Sequence, residues 1–519
     1  MKDTCLLGLI TAFFFSLFLP DMPVVNNILI AAIFAYCLFY NTPAEKWRLL
    51  RSRPAIILMS LFFLLQVISA AASTNRQEGL SMLALRSPLL VLPLSLGLIT
   101  IRQALKLRIL TAYCLATTLM AVFCLVRAGL KVWHTGDAEW LYDDSLTDII
   151  GRQSVYIAFM VSVAVFGYLY LWWSSQQIPP AQHIPPASIP PTSIPPAELK
   201  PFSAFKNPWF IFPAIGLLLC FHYLLASRIS IVFLYTALVL AAGWLALKRG
   251  NRRVLLGTCL LAILAVSCLH FFPKTLNRFR ELRYTGYKFQ NSGVESHYNM
   301  PVTSDQWNGA NLRLAIWRCG LDMMPGNWIT GVPLGDKRAR LQAMYKTQGF
   351  EFAYRTRRNL HSTYLDVLVN TGVPGLCIFL LGYLVLPFWS AISPALDQTR
   401  RISTHSDSLD QTRQTSARSN SPSYLSMAII AAFAAAMLSE TWIDRSFGCV
   451  LLGFWLSCIS AWAAPFNVWK PIIPAPRNYP ADTTSPPLPY PRNTPAPRVE
   501  DTQTGDSISG SSTSYGSPG

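Results

Sequence analysis

Long apolar runs alternate with short polar segments along this chain. Twelve of the runs are long enough to cross about 30 Å of hydrocarbon as a helix that rises about 1.5 Å per residue. The sequence therefore predicts an all-α, polytopic membrane protein with about 12 transmembrane helices and one large loop. The predicted helices cover residues 4–20, 24–40, 54–72, 83–100, 109–130, 153–173, 207–225, 229–247, 254–272, 368–390, 424–441 and 447–464.

Composition agrees with a membrane protein. Hydrophobic residues make up 52% of the 519 residues and charged residues only 13%. The apolar residues come in blocks that are too long for the core of a soluble domain. The net charge of +17 adds little by itself, and we expect membrane lipids rather than nucleic acid around the chain.

The basic residues of the short loops predict the orientation. Lys and Arg resist translocation, whereas acidic residues have little effect on it. Lys and Arg concentrate in segments 41–53, 101–108 and 248–253, which all become cytoplasmic if the N-terminus is inside. The alternate loop 131–152 is acidic and would face outward. With an even number of spans, we expect a multi-pass protein whose N- and C-termini are both cytoplasmic.

Composition shifts also predict the domain boundaries. Residues 174–206 repeat Ile-Pro-Pro four times, which favours an extended polyproline spacer without a packed core. The polar segments 391–423 and 465–519 are expected to be disordered. The predicted order is helices 1–6 (1–173), a Pro-rich cytoplasmic linker (174–206), helices 7–9 (207–272), the large outer loop (273–360), helix 10 with its entry motif (361–390), a cytoplasmic loop (391–423), helices 11 and 12 (424–464) and a cytoplasmic tail (465–519).

The large outer loop is basic. Residues 273–360 contain 14 Lys and Arg against 6 Asp and Glu. Loops longer than about 60 residues are exempt from the charge rule that sets orientation. The excess positive charge therefore indicates an anionic partner at the outer face. The alternative is a solvated surface without a partner, because Lys and Arg are ordinary loop residues.

His361 lies where the large loop re-enters an apolar run. Histidine changes charge near neutral pH, so at a boundary between water and lipid it can accept a proton from a reacting group. The alternative is a histidine at the interface that caps the next helix.

Two arginines occupy comparable positions. Arg228 lies in a minimal outward-facing turn between two apolar spans, where its planar donor fork would suit a phosphate. Arg313 lies in segment 311–317, whose apolar positions predict a short amphipathic helix on the membrane surface. The alternatives are an arginine that reaches to lipid head groups and an ordinary solvated helix face.

Motifs for metal and nucleotide binding are missing from the sequence. No Cys-x-x-Cys or His-Glu-x-x-His spacing occurs, and Cys319 is the only cysteine within residues 273–360. The segment Gly331-Val-Pro-Leu-Gly-Asp336 lacks the Lys and Ser/Thr of a phosphate loop and is more typical of a turn. We therefore predict no metal and no cofactor, and any substrate must arrive already activated.

Four short segments, taken in order, carry a family resemblance. They are Asn311-Leu-Arg-Leu-Ala-Ile-Trp317, the turn Gly331-Val-Pro-Leu-Gly335, His361-Ser-Thr-Tyr-Leu365 and Thr371-Gly-Val-Pro-Gly375. Together with twelve predicted spans and one large loop, their order and spacing resemble the O-antigen ligase and polymerase (Wzy-type) superfamily of bacterial membrane glycosyltransferases. The resemblance is specific over residues 226–375 and loose over the spans.

The resemblance implies a fold, a donor and a location. The fold would be the all-helical C-type glycosyltransferase architecture (GT-C), in the bacterial inner membrane with a periplasmic loop. The donor would be an undecaprenyl-diphosphate-linked glycan, and no metal or nucleotide would be needed. The acceptor would be lipid A core in a ligase, another lipid-linked repeat in a polymerase, or a protein hydroxyl in related enzymes.

The resemblance also implies catalytic roles for His361, Arg313 and Arg228, which match family motif positions. The expected reaction suits these residue types, because fixed cations stabilise the charge that develops on a diphosphate leaving group. A neutral imidazole can take the proton of an acceptor hydroxyl, and direct attack would invert the anomeric centre. Lesser candidates for contact with the diphosphate or glycan are Arg357 and Arg358, with Tyr364 and Trp317 as surfaces on which a sugar could stack. For the two aromatic residues the alternative is ordinary packing.

Three departures from the family pattern leave the acceptor open. Ser362 replaces a common Asn, Asn370 replaces an acidic residue and Pro333 interrupts the Gly-rich turn. Two readings from other classes also remain. A 12-helix transporter would have the same number of spans, although it would keep its charged site near the middle of the membrane. A glycan-binding subunit without catalytic activity is the other.

Overall fold

A computed structural model describes residues 2–20, 22–176, 207–249, 279–290, 295, 306–392 and 423–463. These residues form helices joined by turns, with one isolated bridge between Glu295 and Trp307 and no strand. The expected all-α fold is therefore confirmed for the described part of the chain. The predicted linker, the loop 391–423, the tail 465–519 and the predicted span 254–272 lie wholly or largely outside it.

The first half of the chain forms helices that begin at recognisable signals. Proline is the first residue of four of these helices, a position where its missing N–H does no harm. Thr42 and Glu45 form a capping box at the start of the helix that begins at Pro43. The helices are α1 (Lys2–Ser16), α2 (Pro23–Tyr40), α3 (Pro43–Ser52), α4 (Pro54–Ala71), α5 (Arg76–Arg86), α6 (Pro88–Ser95), α7 (Gln103–Thr135), α8 (Asp143–Thr147) and α9 (Ser154–Gln176).

The second half of the chain contains the remaining helices. The helix that begins at Thr363 continues through one π turn, Leu381–Val385, to Ile392. The helices are α10 (Pro208–Leu224), α11 (Arg228–Arg249), α12 (Asn311–Asp322), α13 (Lys337–Thr347), α14 (Glu351–Arg355), α15 (Thr363–Leu380), α16 (Tyr424–Ala436) and α17 (Ser446–Trp462).

Several of these helices match the predicted membrane spans. Six are long and apolar enough to cross a membrane, and a seventh span is formed if the bent pair Val24–Leu38 and Pro43–Ser52 counts as one. The other described apolar helices are shorter, including α10, α16 and α17. The chain therefore has the helices of a polytopic membrane protein, while the full count of twelve remains a prediction.

The core of the helical bundle is aromatic. Trp442 is fully buried, and its ring meets the rings of Tyr156, Phe159 and Phe433 edge-on at 4.9, 5.0 and 5.4 Å. Such edge-to-face pairs contribute about 0.5–1.5 kcal/mol each beyond burial. They hold the connection between α16 and α17 against α9.

The described part of the large loop has its own hydrophobic core. Trp307 packs at 4.7 Å from Phe350, and helix α12 buries Leu312 and Ile316 against the same cluster. The predicted helix at 311–317 is therefore present and extends to Asp322. Its apolar side packs within the loop.

A close backbone contact fastens this loop to helix α15. Gly331 and Gly372 both have positive φ, 73° and 66°, and Gly372 interrupts the helix. A side chain on Gly372 would begin 2.3 Å from the carbonyl oxygen of Ile329. Two hydrogen bonds, from Val332 N to Val369 O and from Val373 N to Trp328 O, close the contact. The two Gly-rich motifs therefore dock on each other.

Candidate active site

His361 lies two residues before the start of helix α15. Its backbone has φ 45°, a left-handed value that is uncommon for a residue with a side chain, and its N–H donates to Oδ1 of Asn359 at 3.3 Å. The helix cap is Ser362, whose hydroxyl accepts from the N–H of Leu365. His361 is therefore not the capping residue, and its imidazole is 19% exposed at the helix start.

Glu440 faces the imidazole from a distant part of the chain. Nδ1 of His361 lies 3.5 Å from Oε1 of Glu440. Thr363 holds the two segments together, because its hydroxyl donates to Glu440 O at 2.7 Å and accepts from Trp442 N at 2.9 Å. Nδ1 has no hydrogen-bond partner within 207–249, 306–392, 423–463 or the other described residues. The imidazole is thus next to a carboxylate at a distance that a small movement would convert into a hydrogen bond.

Arg313 reaches the same carboxylate from helix α12. Its Nη2 lies 3.5 Å from Oε1 of Glu440, and its Nε donates to Ser439 O at 3.2 Å. Its Nη1 donates to Gly309 O at 2.6 Å. The guanidinium therefore spans the gap between the loop and the turn after α16.

Arg228 approaches the other side of Gly309. It begins helix α11, directly after a tight turn in which Ala226 has φ 51°. Its Nη1 donates to Oε2 of Glu281 at 2.8 Å, and the same oxygen accepts from Gly309 N at 3.3 Å. Glu281 is almost fully buried, with 1% of its side chain exposed.

Gly309 is the point at which the two arginines meet. A Cβ on this residue would lie 2.0 Å from Nη2 of Arg228 and 3.1 Å from Nη1 of Arg313. Asn308 and Asn311 fix its position, since each side-chain carbonyl accepts from the backbone N–H of the other. We call Arg228, Glu281, Gly309, Arg313, Glu440 and His361 the arginine–histidine cluster.

The charges of the cluster keep Glu440 ionised. Burial alone would raise the pKa of its carboxyl group. Contact with His361, followed by the charges of Arg313 and Arg445, outweighs burial and places the pKa below its usual value. Glu440 is therefore a carboxylate at neutral pH and can stabilise a positive imidazole.

The secondary candidates lie near the cluster with different surroundings. Trp317 donates from Nε1 to Leu360 O at 3.0 Å, beneath the His361 segment, and Tyr364 donates to Ala434 O at 2.8 Å. Arg358 pairs with Glu295, whereas Arg357 is exposed and has φ 49°. Contact of these four residues with substrate remains a prediction.

Backbone strain concentrates around the site. The described non-glycine residues with positive φ are Asp143, Ala226, Arg357 and His361. Three of these four belong to the cluster or lie within four residues of one of its members. Such conformations persist only where the surrounding structure enforces them, and they gather at functional sites.

Metal ligands are not grouped in the described residues. Nowhere in those ranges do three His, Cys, Asp or Glu side chains come together in a way that could hold a metal ion. In the arginine–histidine cluster, positive charge comes from the guanidinium groups of Arg228 and Arg313.

Residues 213–380 match the family described as O-antigen ligase. The chain carries an O-antigen ligase family domain. The superfamily that we inferred from the four motifs is thus confirmed, and the domain contains all seven predicted site residues. No curated protein matches the chain.

Sequence reasoning missed Glu440, Glu281 and Gly309. Glu440 lies beyond the end of the O-antigen ligase domain, after the polar segment 391–423. Its only signal in the sequence is an acidic residue at the end of a predicted span, which is rare near a membrane boundary. Glu281 and Gly309 carry no such signal.

Proposed function

We propose that this protein transfers a glycan from an undecaprenyl-diphosphate-linked donor to an acceptor at the periplasmic face of the bacterial inner membrane, with lipid A core as the acceptor. The O-antigen ligase domain supports glycan transfer of the ligase or polymerase type. The main structural support for the proposed active site is that Arg228 and Arg313 converge at Gly309, next to the pair of Glu440 and His361.

The two arginines would bind the diphosphate of the donor. Breaking the bond between C1 of the sugar and the diphosphate oxygen leaves its electron pair on the diphosphate, so negative charge grows there. Guanidinium groups held in place by Glu281 and Glu440 stabilise that charge without reorganising. In this reaction the positive charge comes from the protein, so we propose that no metal takes part.

His361 would accept the proton of the acceptor hydroxyl. The oxygen of that hydroxyl forms the new bond to C1, and its proton passes to Nε2 of the imidazole. Nδ1 faces Glu440, and a proton on Nδ1 leaves a lone pair on Nε2. The carboxylate then stabilises the imidazolium, and the 3.5 Å separation shortens as the charge forms. A single direct displacement inverts the anomeric centre.

Transfer in proteoliposomes tests this proposal. Wild-type protein and His361→Ala receive purified undecaprenyl-diphosphate glycan, in one series with lipid A core and in the other without it. We expect glycan on lipid A core with the wild type only. The control is His134→Ala, which should leave transfer unchanged, because His134 is exposed in the last turn of α7 and makes no described contact with the cluster.

The other outcomes separate the alternatives. Longer lipid-linked glycans without added lipid A core would indicate a polymerase. Glycan on protein alone would indicate an O-oligosaccharyltransferase. Retention of full transfer by His361→Ala would reject the proposed role of the imidazole. Binding of the donor without any transfer by the wild type would indicate a glycan-binding subunit, and movement of intact donor across the bilayer would indicate a transporter.

A further inference from the structure

Four charged side chains form a second cluster, separate from the arginine–histidine cluster. Arg86 closes helix α5, Lys337 opens α13, Asp366 lies in α15 and Asp444 precedes α17. We call these residues the buried ion cluster. Arg86 and Asp366 are 0% exposed, and Lys337 is 5% exposed. Two positive and two negative charges balance in a place that water hardly reaches.

Each cation bridges both carboxylates. Nη2 of Arg86 lies 3.0 Å from Oδ2 of Asp366 and 2.6 Å from Oδ1 of Asp444. Nζ of Lys337 pairs with Oδ1 of Asp366 and lies 3.0 Å from Oδ1 of Asp444. Arg86 is further held by Gln66 Oε1 at 2.8 Å and by Ile443 O at 3.0 Å. The cluster thus joins four helices and turns that are far apart in sequence.

The two carboxylates belong to the segments that carry His361 and Glu440. Asp366 lies in the first two turns of the helix that begins just after His361, and Asp444 ends the turn that follows Glu440. Fixing one carboxylate against the other therefore fixes the distance between the two segments. The first turn of α15 is also hydrogen-bonded directly to the segment around Glu440. The hydroxyl of Thr363 donates to Glu440 O and accepts from Trp442 N, Thr363 N donates to Met437 O, and the hydroxyl of Tyr364 donates to Ala434 O.

Stability alone does not account for such a cluster. Buried ion pairs rarely stabilise a fold more than well-packed apolar residues of similar volume would, because desolvation opposes the attraction between the charges. Their best-attested use is to specify one arrangement of the segments that they join. The placement of a general base is sensitive to such an arrangement, since a shift of about 1 Å can lower a rate about 100-fold.

We propose that Arg86 and Lys337 are positioning residues, which clamp Asp366 to Asp444 and thereby set the distance between His361 and Glu440. This inference rests on the proposed transfer reaction. Neither cation touches the arginine–histidine cluster through a described contact, so the effect acts through α15 and the turn before α17. Lys337 also belongs to the large loop, so the same clamp ties that loop to the site.

The test compares an unbalanced variant with a balanced one. Lys337→Met removes one positive charge and leaves two carboxylates facing one arginine. Lys337→Met combined with Asp444→Asn restores charge balance, and the new amide oxygen can still accept from Arg86. The thermal midpoint, kcat for transfer and KM for the undecaprenyl-diphosphate glycan are measured on the same proteoliposome preparations.

We expect the double variant to regain the wild-type thermal midpoint, which the single variant loses. We do not expect it to regain the wild-type transfer activity. Its kcat should stay at least about 10-fold below the wild type, with KM for the donor within about twofold, because alignment is lost and donor binding is not. Recovery of kcat together with the thermal midpoint would overturn the proposal, since charge balance would then be the whole role of the cluster.

A second variant covers the case in which the double variant does not fold. Asp444→Glu keeps all four charges and adds one methylene between the carboxylate and the turn. We expect about 10-fold lower kcat with an unchanged thermal midpoint, and a wild-type kcat would overturn the proposal. His361→Ala, measured alongside, separates the two hypotheses: activity in His361→Ala rejects the transfer mechanism, whereas an inactive His361→Ala with fully active cluster variants rejects only the clamp.

Discussion

Nδ1 of His361 lies 3.5 Å from Oε1 of Glu440. Glu440 lies further along the chain, after helices α15 and α16. His361 could be predicted as a site residue from the sequence, whereas Glu440 could not. In the proposed mechanism the ionised carboxylate favours a proton on Nδ1, which leaves Nε2 free to receive the proton of the acceptor.

Glu440→Gln should slow transfer without unfolding the protein. The amide has the same shape, but it cannot balance the positive charge that forms on His361. We expect kcat to fall about 100-fold with KM for the donor little changed, within the range that general acid–base catalysis contributes. Initial rates at several donor concentrations measure this split. Wild-type kcat in Glu440→Gln would show that the carboxylate has no part in proton transfer.

Gly309→Ala should displace Arg228. The new methyl group would lie 2.0 Å from Nη2 of Arg228, so the guanidinium must move. We expect kcat/KM to fall at least about 10-fold, as a fixed cation leaves the diphosphate position. Gly243→Ala is the matched control, because it lies in the same helix as Arg228 and its Cβ meets open space. Equal activity of the two variants would contradict the role of Gly309.

Arg313→Lys should not preserve activity, although it keeps the charge. Arg313 uses three nitrogens to contact Gly309, Ser439 and Glu440, whereas an ammonium group is a single point. We expect kcat/KM to fall about 10- to 100-fold. The control is Arg318→Lys in the same helix, whose side chain is 65% exposed and pairs only with Asp322 among the described acidic groups. A fully active Arg313→Lys would show that charge alone suffices.

Arg357→Gly should separate stability from substrate contact. Arg357 is exposed with φ 49°, a conformation that glycine adopts freely. We expect the free energy of unfolding to rise by about 0.5–1 kcal/mol, within the range of matched backbone changes. If the guanidinium contacts substrate, KM should rise at the same time. Thermal denaturation and transfer kinetics on one preparation measure both effects, and an unchanged KM would remove Arg357 from the binding site.

Acid should weaken the fold through Asp444. Burial raises the pKa of this carboxyl, but Lys337 and Arg86 outweigh burial and hold it at about 2. In the unfolded chain the group protonates near its ordinary value of about 3.9. Below about pH 5 the unfolded state therefore begins to bind a proton that the folded state does not, so the stabilisation that the ionised Asp444 contributes is lost as the pH falls. The thermal midpoint of the wild type should fall over this range.

Asp444→Asn is the control for the acid effect. It removes the titrating group, so its thermal midpoint should start lower at pH 7 and fall less steeply between pH 5 and pH 3. Parallel curves for the wild type and this variant would show that other carboxyl groups cause the acid sensitivity.

Much of the site could be predicted because its chemistry lies in short motifs. His361, Arg313 and Arg228 stand at the ends of apolar runs or beside Gly-rich turns, and these local patterns are visible without a structure. The structure brings all three into one cluster through Gly309 and Glu440. The predicted cap role for His361 was the alternative, and Ser362 takes that role instead.

The partners of these residues could not be predicted. Glu281 is an ordinary acidic residue in a basic loop, and Glu440 follows a span outside the matched domain. Arg86 and Asp366 interrupt apolar runs, which signals a buried use, but nothing in the sequence says that they meet each other.

The sequence by itself determined the class of the protein, its helices and the residues that can do chemistry. Those properties depend on hydrophobicity and residue type within windows of about 20 residues, which a bilayer and a helix impose locally. Only the tertiary structure decided which charges neutralise each other and which nitrogen of His361 faces a carboxylate. These facts depend on the packing of α12, α15 and the turn between α16 and α17, whose contacts join residues far apart along the chain.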